Sequence, residues 1–221
     1  MKLAIFDFDG TLLTKDTLPC LGKEWIRQKR SLFRYILVYL YIIPALVRYK
    51  MGIISREEFK NLAFDRFNLI FNGMSRTQIN EFFQNAYPYI KKLFNITVMN
   101  EIEIAQKQGF HCVLLSGAYA DLLRIVAKDL GFDTVIAAEL AFKNGIFDHN
   151  GDIPFITGKK KVALLQNAFA GKNVDWQSSK CFADSMADIE LMQLVGNPVA
   201  INPDPGLLSH ALDNHWEIAG L

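Results

Sequence analysis

Five short apolar runs limit what this chain can fold into. Leu3–Phe6, Thr134–Ala138, 112–115 and 198–201 are apolar almost without polar alternation, and Lys180–Ala183 is a weaker fifth. A strand with one wet face alternates, whereas a strand covered on both faces does not, so these runs read as buried parallel strands. Between them, apolar positions recur at helical spacing over 97–108, 119–130, 160–168 and 187–194. Strand alternating with helix predicts an α/β fold built on a doubly wound parallel sheet. At 221 residues, 51 % of them apolar, the chain is long enough for one such core and a smaller inserted unit. Asn144-Gly145, set between short apolar runs in "ELAFKNGIFDHNGDIPF", predicts a β-hairpin.

Residues 15–92 break the alternation. They hold three long helical patterns, 31–49, 55–68 and 75–94, and no convincing strand. The expected organisation is therefore a helical cap over 15–92, inserted after the first strand of a core made from 1–14 and 93–221.

With 24 basic and 23 acidic residues, the chain has no global attraction to nucleic acid. Cys20, Cys112 and Cys181 are odd in number and widely spaced, which fits reduced thiols in the cytoplasm better than disulfides or zinc. His111, His149, His210 and His215 form no ligand spacing. "MKLAIF" runs straight into aspartates and reads as a strand, not a signal peptide. No run reaches the roughly 20 apolar residues of a membrane span; the longest, 35–47, is interrupted by Pro44.

Four polar clusters fall at strand ends or helix starts. Asp7 and Asp9 follow the first strand, two apart and so on one face, where like charges crowd unless a cation or proton separates them. Gly10 permits a tight turn and Thr11 adds a hydroxyl; an ordinary strand-ending turn would use the same residues. Ser116 and Gly117 follow the second strand and are expected to open a helix, a ready anion site or an ordinary cap. Lys159, Lys160 and Lys161 crowd a helix start, where the macrodipole disfavours cations. Asp184 and Asp188, four apart, would share a helix face suited to Mg²⁺, or would simply cap that helix.

Taken together, DFDGTL, LLSGA, GKKK and ADSMAD, in that order, resemble the haloacid dehalogenase superfamily. The helical insertion after the first motif, and the tail "LVGNPVAINPDPGLLSHALDNHW", look like its phosphoserine-phosphatase-like branch. The resemblance implies a Rossmann-like core and a Mg²⁺-dependent phosphomonoester hydrolase acting through an aspartyl-phosphate. It implies Asp7 as nucleophile and metal ligand, and Asp9 as general acid/base that also offers its backbone carbonyl to the metal. Gly10, Thr11, Ser116, Gly117 and Lys161 would bind phosphate, Lys161 being the lysine that fits "GxxKVxxL". Asp184 would hold the metal and Asp188 would support its shell. Phosphoserine phosphatases usually carry Ser at the position of Gly10 and Glu at that of Asp16, so amino-acid specificity does not transfer. Receiver domains also hold a phosphorylated aspartate, but after their third strand and without a cap, and a silent phospholipid-binding module would not need the acidic quartet.

The expected substrate is a small soluble phosphomonoester. Between Gly22 and Lys50 the cap carries Lys23, Arg27, Lys29, Arg30, Arg34, Arg48 and Lys50 against Glu24, with "YILVYLYIIPALV" interleaved. Such a helix either packs inside the cap, the expected outcome, or lies peripherally on an anionic membrane at the inner face. Phosphatidylglycerophosphate phosphatases of this branch look similar here, which keeps a lipid phosphate as the alternative substrate.

Overall fold

The structure, a computed structural model, describes residues 1–151 and 153–220. In β1 (Leu3–Phe6), all four side chains are buried. β1 lies inside a sheet with β2 (His111–Tyr119), β3 (Thr134–Ala138), β6 (Lys180–Ala183), β7 (Asn197–Ile201) and β8 (Glu217–Ala219), ordered β3-β2-β1-β6-β7-β8. Every pairing in it is parallel. Ala4 and Phe6 point into one apolar cluster, Leu3 and Ile5 into another on the opposite face, which is why the run does not alternate. Helices α5 (Ile96–Lys107), α6 (Ala120–Leu130), α7 (Lys159–Ala168), α8 (Ile189–Met192) and α9 (Pro205–Asp213) supply the connections. The chain leaves β1 towards β2 and β3, then returns to β6 on β1's other side. Strand order thus reverses between β1 and β6, and ligands of such sheets bind in the crevice beyond those strand ends.

Between Thr17 and Ile90 stand α1 (Thr17–Arg27), α2 (Leu32–Lys50), α3 (Arg56–Phe67) and α4 (Arg76–Ile90), with no named strand among the described residues. Ser31, Ser55 and Ser75 each accept a bond from their helix's first turn, so helix starts marked by serine in the sequence are real caps. This helical unit is not a separate lobe. Its aromatic cluster of Trp25, Phe71, Phe82 and Phe83 is continuous with the sheet's core, and Tyr119 of β2 stacks on Phe64 and donates to Asn68 Oδ1 at 2.7 Å. The hairpin of β4 (Phe142–Lys143) and β5 (Ile146–Phe147) turns at Asn144 and Gly145, both at positive φ, and Phe147 N–H donates to Met74 of the cap.

Three sequence expectations need correction. The second strand runs on through Ser116 and Gly117 to Tyr119, and α6 starts only at Ala120, so these residues do not open a helix. The chain stays extended because Tyr119 must reach the cap, while a register shift between Leu115 and Tyr119 accommodates Gly117. Asp184 and Asp188 do not share a helix either; Ser185 caps a 3₁₀ turn over Met186–Asp188 that folds one back towards the other. Finally, the apolar helix of the cap is not buried inside it. Of α2's 19 residues only Val38 and Ala45 are buried, and it is long and apolar enough to cross a membrane by length and composition.

Candidate active site

Parallel register brings the site together. Phe6 pairs with Leu114 and with Phe182, so Asp7 stands level with Leu115 and Ala183, and Ser116 and Asp184 emerge one residue beyond it at the same end of the two flanking strands. Asp7 N–H donates to Phe182 O at 3.0 Å, holding the chain in the sheet up to the carboxylate. Asp7, Asp188 and Lys161 are all buried, the aspartates at 5 % and 4 % exposure.

Lys161 reaches this cluster from the first turn of α7. Its Nζ lies 2.7 Å from Asp7 Oδ1 and 2.7 Å from Asp188 Oδ1. Burial alone would lower its proton affinity, but Asp188 and Asp7 outweigh that and hold the ammonium charged well above the usual lysine range. Lys159 and Lys160 face outwards; Lys159 lies 3.7 Å from Glu190, and Lys160 donates to Phe155 O. The lysines at the wrong end of a helix dipole thus include one with a strong local reason to be there.

Asp9 is not one of the three clustered acids, although the Asp7 charge acts on it. Its Oδ1 accepts from Thr17 N–H at 2.8 Å and from the Thr17 hydroxyl, so Asp9, not the preceding Asp16, caps α1. Burial pushes its carboxyl up to about 7 against the opposing Thr17 bond and Lys60 charge. Gly10, at φ +88°, fits because any Cβ there would overlap the Asp184 carboxylate. That overlap gives a physical reason for glycine at this turn. Thr11 is fully buried and its hydroxyl has no hydrogen-bond partner among the described residues. Ser116 Oγ accepts from Ala118 N–H, and a Cβ on Gly117 would stand 2.7 Å from Ile156 O.

The acids can hold a cation. One oxygen each of Asp7, Asp184 and Asp188 lies within 4.8 Å of the others. Burial, with the Asp7 charge next, pushes Asp184 up to about 7, and burial raises Asp188 despite Lys161. Excess negative charge met by oxygen donors alone suits Mg²⁺. Three contributors were not legible in sequence: Thr17, Lys60 and Asp204. Lys60 of α3 lies 3.0 Å from Asp16 and its charge also reaches Asp9 and Asp184. Asp204 N–H donates to Asp184 O at 2.8 Å, and its carboxylate accepts from Met186 N–H and Leu207 N–H, locking the turn that carries Asp184 and Asp188. Only the Asp204-Pro205 helix start carried a local signal.

A buried carboxylate paired with a lysine and flanked by two further acids sits at the switch point of a doubly wound sheet. The family model for haloacid dehalogenase-like hydrolase matches residues 4–193, and the chain belongs to that family. Phosphoserine phosphatase SerB1 of Mycobacterium tuberculosis is 23 % identical over 97 % of this chain and 69 % of its own length. A crystal structure of a protein of unknown function from Bordetella pertussis superposes with a TM-score of 0.80 at 20 % identity, covering 98 % of this chain and 97 % of that one. A phospho-aspartyl intermediate analogue of phosphoserine phosphatase superposes at 0.64 and 17 % identity, over 99 % and 92 %. The fold of core and helical cap together is therefore shared with solved phosphoserine phosphatases.

Proposed function

We propose that the chain is a phosphatase for small phosphomonoesters that works through an aspartyl-phosphate on Asp7. The observation carrying this is the buried Lys161 ammonium, shared at 2.7 Å between Asp7 and Asp188. Phosphoryl transfer asks a protein chiefly for positioning and charge neutralisation, and an anionic nucleophile needs both before it can approach phosphate. Asp7 attacks phosphorus through the oxygen not bonded to Lys161, the phosphorus–oxygen bond to the alcohol breaks, and Asp9 gives the leaving oxygen its proton. Asp9 then takes a proton from water, whose oxygen attacks phosphorus and releases phosphate from Asp7. Ser116, Gly117, Thr11 and Gly10 line the phosphoryl oxygens. Mg²⁺, held by Asp7, Asp184 and the Asp9 carbonyl with Asp188 in support, would neutralise charge on those oxygens. The cap packs beside the site, with Phe64 of α3 against Phe155 and the Lys60 charge acting on Asp184, which favours a small substrate. A lipid phosphate monoester is the second reading, favoured by the exposed apolar side of α2. Assaying phosphoserine, glycerol phosphates, lysophosphatidate and phosphatidylglycerophosphate separates the two. No hydrolysis of any phosphomonoester in the presence of Mg²⁺ would overturn both.

Asp9→Asn tests the proton transfer. General acid–base help is worth about 10²–10⁴-fold, so hydrolysis of alkyl phosphates should fall by that much. Phosphorylation by p-nitrophenyl phosphate, whose leaving group needs no proton, should fall far less. Equal losses on both would remove Asp9 from that role. In the wild type, kcat/KM for an alkyl phosphate should decline as pH rises and Asp9 loses the proton it must donate, with no matching decline for the aryl ester.

The metal site has a readout apart from turnover. Asp9 and Asp184 titrate near 7 in the fold against about 3.9 when unfolded. Between those values the folded state binds protons that the unfolded state does not, so without metal their contribution to stability falls as pH rises through that window. Mg²⁺ requires the deprotonated acids, so it should raise Tm more at pH 8 than at pH 5. An equal gain at both would count against Asp184 as a ligand.

A further inference from the structure

The α2 helix is apolar on two sides. Its inner side sets Val38 and Ala45, seven apart, against the cap. Its outer side presents Phe33, Ile36, Leu37, Leu40, Ile43 and Val47, the i, i+3, i+4, i+7 spacing of a single stripe. Phe33 is 74 % exposed, Leu40 59 % and Val47 48 %. At 1.5 Å per residue the stripe runs about 21 Å, and Met51 and Ile53 extend it beyond the helix end. Isolated exposed apolar residues mean little, whereas a continuous stripe marks an interaction surface.

Charge identifies what meets it. No acid occurs from Trp25 to Arg56. Exposed Lys29 stands near one end of the stripe and Arg48 and Lys50 at the other, none in an ion pair among the described residues, while Arg30 lies over the Trp25 and Phe82 rings and Arg34 is half-buried. A second copy of this face is a poor partner, because either relative direction sets cations against cations. An anionic lipid surface matches both properties. We propose that α2 docks on anionic membrane, lying in the interface with its outer stripe among the upper acyl chains and its terminal cations against lipid phosphates. The helix does not need to leave the cap to do so: Arg66 donates to Tyr41 O at 2.8 Å and Arg34 to Ile70 O, ties that a spanning helix would have to break. This surface is independent of which phosphomonoester the site hydrolyses.

The test is sedimentation of the full chain with vesicles of phosphatidylcholine alone or containing about a third phosphatidylglycerol, at low and high salt. Binding is expected to the anionic vesicles only, and to weaken as salt shortens the Debye length below its physiological value of about 8 Å. Arg48→Gln with Lys50→Gln should weaken it about thirtyfold, at about 1 kcal/mol per cation. Leu40→Glu should weaken it more than tenfold, and Ile36→Ser with Leu40→Ser serves if the charge disturbs folding. All variants should retain wild-type hydrolysis of p-nitrophenyl phosphate and wild-type circular dichroism. Equal binding to neutral vesicles, no binding, or a concentration-dependent dimer that Leu40→Glu dissociates would each overturn the proposal, the last in favour of a second copy.

Discussion

Asp7→Asn is expected to abolish phosphatase turnover while leaving the protein folded and at least as stable. An amide nitrogen or carbonyl cannot form the acyl phosphate, so the two-step route closes entirely. The fold should not suffer, because Asn is nearly isosteric and β1 stays anchored by the Asp7 N–H bond to Phe182. Electrostatics go further. The Asp7 charge is among the causes that raise Asp184 and Asp188, so its removal relieves repulsion among three clustered acids. Lys161 keeps Asp188 as its counter-charge. Tm in the absence of metal should therefore hold or rise even as activity vanishes, which distinguishes loss of a nucleophile from loss of structure. Beryllofluoride with Mg²⁺, a mimic of the phosphorylated carboxylate, should protect the wild type against thermal unfolding and leave the variant unaffected. Wild-type turnover by contaminant-free Asp7→Asn protein would end the assignment.

Much of the frame was readable because burial on both faces leaves an unambiguous mark. β1, β3 and β6 were found at their observed bounds: Leu3–Phe6 is covered on both faces, while β3, an edge strand buried only at Ala138, was still marked by its run of apolar residues. The hairpin was legible in Asn144-Gly145 because that turn needs positive φ at both positions. What failed depended on distant partners. The path of β2 past Ser116 is set by Asn68, 51 positions from Tyr119, and no local pattern contains that bond. β8 is three residues led by a glutamate and pairs with β7 only through tertiary context. The fate of α2 could not be decided from sequence, because apolar residues cover most of its circumference and periodicity cannot say which side meets protein.

The site divides in the same way. Asp7, Asp184 and Asp188 are brought together by register and by one tight turn, so strand-end position was a sound guide even though the helix invoked for the last two does not exist. Thr17 and Lys60 escaped because each acts across the gap between core and cap. Gly10 could be placed in a turn from sequence, but the reason a side chain is excluded there, overlap with Asp184, lies just past the end of a strand more than 170 residues away.

Lys161→Ala should be nearly as damaging as loss of the nucleophile, and for two separable reasons. The first is chemical: deleting one preorganised donor to a reacting oxyanion typically costs about 10²–10³ in kcat. Lys161 also holds Asp7 in place, so the loss should reach or exceed the top of that range. The second is structural. Removing one partner of a buried ion pair typically costs about 3–5 kcal/mol because charge is left uncompensated. Here the acids can relieve part of that by taking up a proton, as burial already biases Asp188 and Asp184 to do. The variant should therefore lose more stability at pH 8 than at pH 5, the reverse of what removal of a merely space-filling side chain would give. Lys159→Ala and Lys160→Ala set the comparison. Both lysines face solvent at the same helix start, where a cation opposes the macrodipole, so their removal should leave activity within about twofold and Tm unchanged or slightly higher. If Lys159→Ala or Lys160→Ala proved the inactive variant and Lys161→Ala did not, the buried ammonium would be a structural counter-ion and the phosphate would be met by that outer lysine instead.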